Sequence, residues 1–87
     1  MNMLDIFKSV LVEGMEIVKV KELANKYRIT LTFKGLKNTI ELNKTCVPSY
    51  EIFYCKGAVA TALSSIYINL HDLDNASKWL DKSNGQY

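Results

Sequence analysis

Between Tyr27 and Lys34 the chain alternates without a break: Tyr27, Ile29, Leu31 and Phe33 against Arg28, Thr30, Thr32 and Lys34. A period of two places the apolar set on one face of an extended strand and the polar set on the other, whereas a helix would scatter both around its axis. The segment therefore predicts a strand with one buried face.

Lys34-Gly35 follows directly. As a two-residue turn it gains from glycine the positive φ that tight hairpins require. The resulting register sets Phe33 opposite Leu36, Ile29 opposite Ile40 and Tyr27 opposite Leu42, all apolar pairs, with Leu31 opposite Asn38 as the one discordant position. Upstream, a turn at Asn25-Lys26 sets Val20 opposite Leu31 and Val18 opposite Phe33. Both hairpins bury the same face of the central strand. Since a one-residue slip would reverse every side chain, their agreement predicts a three-stranded antiparallel meander.

Helical spacing flanks this sheet. Asn2 can cap a first helix with Asp5 in its opening turn and an apolar stripe of Leu4, Phe7, Val10 and Leu11, stopped by Gly14. Pro48 and Ser49 open a long helix whose main stripe is Ile52, Val59, Leu63, Ile66 and Leu70. Asp72 or Asp74 caps a last helix carrying Ala76, Trp79 and Leu80, ended by Asn84-Gly85. The reading is a single α+β domain over residues 1–87, in the order α-β-β-β-α-α, with the helices on one sheet face. Eighty-seven residues can bury a working core unaided. A hydrophobic fraction of 48% and a charged fraction of 23% are those of an ordinary globular chain.

Within the helical part, Leu63, Ser64, Tyr67 and Leu70, the Asp72-Leu73 turn, and Ala76 and Leu80 have the spacing of a tetratricopeptide-type repeat. Residues 63–83 thus resemble one helical hairpin of that family, about a quarter of the chain. The resemblance implies two antiparallel helices brought close by small residues. It implies no bound peptide, because a solenoid surface needs several repeats.

The thiols Cys46 and Cys55 match no metal-binding spacing and read as reduced, in a cytoplasmic chain. His71, the only histidine, lies in a helix–helix turn beside Asp72, where a structural role is the simpler reading. Gly14, Gly35, Gly57 and Gly85 are too scattered for a phosphate loop, and no cofactor motif is present. A non-enzyme is expected. The stretch from Ile52 to Leu70 is apolar but interrupted by Lys56, Ser64, Ser65 and Asn69, which argues against a membrane span.

Two surfaces remain. The outer sheet face should display Lys19, Lys21, Arg28, Lys34 and Lys37 among threonines, with Glu41 opposing. Such a face can follow a phosphate backbone, although it offers no aromatic for base stacking. The long helix should present Tyr50, Phe53, Tyr54 and Tyr67, residue types that anchor interfaces. Its small residues Gly57, Ala58, Thr61, Ala62 and Ser65 would permit close helix contact, within the chain or in a homodimer. The leading expectation is a small regulator or inhibitor that occludes a larger protein partner, with nucleic-acid binding through the basic face as the alternative. Frequent Asn, Lys, Ile and Tyr, which AT-rich codons favour, hint at a low-GC bacterium or one of its phages. Together with small size and this layout, and by analogy with small phage inhibitors, that suits a phage or mobile-element product acting on a host factor.

Overall fold

A computed structural model describes residues 2–84, and the expected stop at Gly85 lies outside them. The elements are α1 (Met3–Ser9), β1 (Glu16–Glu22), β2 (Lys26–Phe33), β3 (Leu36–Asn43), a 3-10 turn (Pro48–Tyr50), α2 (Glu51–Asn69) and α3 (Leu73–Ser83). The strands form one antiparallel sheet in the order β1-β2-β3, so the fold is the expected α+β meander with helices.

The β2–β3 hairpin has the register read from the sequence, from Phe33↔Leu36 to Lys26↔Asn43. Lys34 and Gly35 both have positive φ, 51° and 80°, as a tight turn twisted to match its strands demands. The β1–β2 hairpin differs. Val20 lies opposite Ile29, not Leu31, and Glu22 opposite Tyr27, so the turn is at Ala24-Asn25. A two-residue shift preserves the faces, which is why alternation alone cannot choose between the two registers.

Nor does Val18 face Phe33. The register breaks between Ile17 and Lys19, leaving Val18 in a bulge, 50% exposed. The bulge resets the phase of β1, so that Ile17 and the buried Met15 point inward instead of Val18 and Glu16. Avoiding a carboxylate against the core is its physical reason.

In α1, Asn2 Oδ1 accepts the Asp5 N–H at 2.9 Å, as expected of the cap. The helix ends at Ser9, well before Gly14. Gly14 instead sits in the turn into β1 at φ 92°, where a Cβ would lie 3.4 Å from the Phe33 ring. Met3, Ile6 and Phe7 are the buried face of α1, while Leu4, Val10 and Leu11 pack at its margin.

The buried stripe of α2 runs through Cys55, Val59, Ala62, Leu63 and Ile66. Ile52 and Leu70, expected in it, are 56% and 38% exposed because they lie at the helix ends. A helix apolar on nearly every side gives little phase information, and packing against α3, β3 and α1 selects the stripe. Tyr67 also departs from expectation. It is buried, with its ring edge-on to Phe33 at 5.7 Å, and belongs to the core, not to an exposed flank.

Between α2 and α3 the chain closes a Schellman turn: Asp72 N–H bonds Tyr67 C=O at 2.9 Å and His71 N–H bonds Ile68 C=O at 3.0 Å. His71 takes the left-handed position, φ 58°, usually held by glycine. Asp72 then caps α3 through the Asn75 N–H at 3.2 Å. A left-handed residue with a Cβ costs about 1–2 kcal/mol. We expect His71→Gly to stabilise the fold by up to about 1 kcal/mol, part of the relief being cancelled by the freer unfolded chain. Urea unfolding checks this, and no gain would mean that His71 contributes something besides its backbone shape.

Candidate functional site

The aromatic flank lies where the 3-10 turn runs into the N-terminal half of α2. Tyr50 and Phe53 are 54% and 50% exposed, and their rings stack at 6.0 Å. Tyr54, one residue on, leans toward the sheet, where its hydroxyl accepts the Asn43 backbone N–H at 2.8 Å. These three line a groove of about 750 Å3. Small residues of α2, Gly57, Ala58, Thr61 and Ser65, also line it, together with Lys82 and Ser83 of α3.

The opposite wall is β3, contributing Asn38, Thr39, Ile40 and Glu41. Sequence reasoning missed this wall. β3 is an edge strand, and the Lys34-Gly35 turn decides which of its backbone groups face outward. In a two-residue hairpin the flanking pair Phe33/Leu36 exchanges both backbone hydrogen bonds, and so does every second pair beyond it. Lys44 N–H bonding Asn25 C=O at 3.0 Å continues that phase. Lys37, Thr39, Glu41 and Asn43 therefore turn their N–H and C=O groups away from β2. Tyr54 takes the Asn43 N–H; among the described residues nothing bonds the outward groups of the other three.

The basic face is less uniform than expected. Lys19, Lys21 and Arg28 surround a shallow depression of about 210 Å3 with Thr30 and Thr39. Lys37 lies farther along, opposite Thr32. Lys34 does not join them: its position in the turn carries its ammonium over the Phe33 ring, 5.5 Å from the centroid, on the other side of the sheet. Glu41 draws in both Lys26, at 2.9 Å, and Arg28, at 3.0 Å. Those two partners hold its carboxyl below the usual carboxylate range. Three expected cations thus cluster, one of them tied to a carboxylate, and the rest lie elsewhere.

Both thiols are free. Cys55 is enclosed, with Sγ 3.5 Å from Met3 Sδ, and burial, aided by Cys46 and Glu51, pushes its pKa up to about 11. We expect Cys46 to react with iodoacetamide at pH 8 while Cys55 reacts only on unfolding. Between its ordinary value near 9 and about 11, the unfolded chain releases the Cys55 proton before the folded chain does, so stability falls as pH rises through that window. A Cys55→Ser variant whose stability declined just as much there would contradict this. Among the described residues no group of three His, Cys, Asp or Glu side chains is placed to hold a metal, and no helix is long and apolar enough to cross a membrane.

No protein-family model, curated protein or solved structure matches the chain.

Proposed function

We propose that this chain is a non-catalytic protein-binding domain, a small regulator or inhibitor that works by occluding a larger partner. The carrying observation is the stacked, half-exposed pair Tyr50 and Phe53 over a groove of small residues. Exposed aromatics held at low entropic cost are the usual anchors of interfaces. A partner seated there would also cover part of the sheet edge. The composition favoured by AT-rich codons adds a biological setting, a phage or mobile-element product that blocks a host factor.

Nucleic-acid binding through Lys19, Lys21, Arg28 and Lys37 is the second reading, supported by their shared face. It has less behind it, since Glu41 offsets part of that charge and the face offers no stacking platform.

The two separate experimentally. Affinity capture from the source cell should retain its partner with Lys19→Glu/Lys21→Glu and lose it with Tyr50→Ala/Phe53→Ala, by roughly thirtyfold or more in affinity. Binding to generic DNA or RNA that weakens steeply with salt and disappears in the charge variant would overturn the protein reading. Dimers that dissociate in the aromatic variant would make the partner a second copy of this chain.

A further inference from the structure

Resting on that reading, we propose that the groove takes an extended peptide segment of the partner, added as a fourth strand along Lys37–Glu41 of β3, with apolar side chains at alternate positions turned toward Phe53 and Ala58.

The two edges of the sheet are not alike. β1 is blunted by the Val18 bulge and by Lys19 and Lys21, both devices that discourage strand addition. β3 keeps an unbroken eight-residue register with β2 and carries no bulge. Its outward N–H and C=O groups at Lys37, Thr39 and Glu41 form a regular row, bounded at one end by the Tyr54 hydroxyl on Asn43. Such a row binds extended backbone, while pockets for alternate side chains add selectivity. The groove stands on the inner side of that row, where every second side chain of an added strand would enter it. The intervening side chains would lie beside Lys37, Thr39 and Glu41. Glu41 already has two cations and Lys37 lies opposite a threonine, so charge complementarity favours an acidic residue next to Lys37.

Gly57 is an independent observation. Glycine in mid-helix is unfavourable relative to alanine. Here, among the described residues, a Cβ would meet nothing closer than the Ser83 carbonyl oxygen at 4.0 Å, an ordinary contact. Packing among the described residues does not demand a glycine at this position. A methyl there would take up room in the groove that Gly57 lines.

The test is selection of a displayed library of random twelve-residue peptides on the whole protein, followed by synthesis of the enriched sequences. The expected result is a pattern of alternating apolar residues, with proline excluded and an acidic residue between them. On binding, the amides of Lys37, Thr39 and Glu41 should change from fast to slow hydrogen exchange. Methylating one peptide nitrogen that faces β3 should weaken binding about tenfold or more. Gly57→Ala should weaken it while raising the melting temperature. Thr39→Pro, which removes an outward donor and spares the β2 ladder, should weaken it as methylation does. Enriched peptides that bind without protecting those three amides, or that tolerate methylation, would overturn strand addition. So would a selection that enriches nothing. In either case the broader protein-binding reading still stands or falls on capture by the Tyr50→Ala/Phe53→Ala variant.

Discussion

Phe7→Ala is expected to cost about 3–5 kcal/mol, a large part of the stability of a domain this size. Phe7 is fully enclosed although it belongs to a helix of only seven residues. Alone, such a helix would not form in water, and its order comes from packing. Its buried face, Met3, Ile6 and Phe7, lies against α2 and touches β3, so removing the ring leaves a void that α1 alone cannot fill. Urea unfolding should show the midpoint falling at unchanged slope, and the melting temperature should drop by more than about ten degrees. Phe53→Ala is the control. That ring is half exposed, and its loss should cost about 1 kcal/mol or less. Similar costs at both positions would refute the division between core and docking surface.

The second large effect concerns the bulge in β1. Ile17→Asp places a carboxylate opposite Leu31 on the inner face and should cost about 2–3 kcal/mol. Val18→Asp falls on the outward-turned extra residue and should stay within about 0.5 kcal/mol. Without the bulge the order reverses, since Val18 would then point inward. The pair of variants thus decides between two phases of one strand.

That pair also marks how far the sequence could be read. Gly35 pins one hairpin because a left-handed turn has few tolerant residues, and β2–β3 was legible pair by pair. Ala24-Asn25 closes the other hairpin with no positive φ, and a shift of two residues leaves every face unchanged. A bulge adds one residue without any compositional mark, so Val18 read as core. In α2 the surplus of apolar residues hid the phase, which is how Ile52 entered the expected stripe and Tyr67 the expected surface. Tyr50, Phe53 and Tyr54 were legible as aromatics on a flank. Their groove was not, because the meander makes β3 an edge but nothing in the sequence sets this end of α2 beside that edge. Lys34 was misplaced for a local reason: a turn residue leaves the alternation of the strand before it.

The position of α1 bears on the rates of folding. The strands form two consecutive hairpins and α2–α3 a third, each closed by a short connection. α1 instead meets α2 across most of the chain, Met3 lying against Cys55, 52 residues away. Contacts that distant are made after the local ones, because loop closure must precede any gain from them. The Phe7 contacts should therefore be largely absent from the transition state, and their loss should appear as faster unfolding with little change in folding rate. The lifetime of the native protein, as distinct from how readily it forms, rests on its shortest helix.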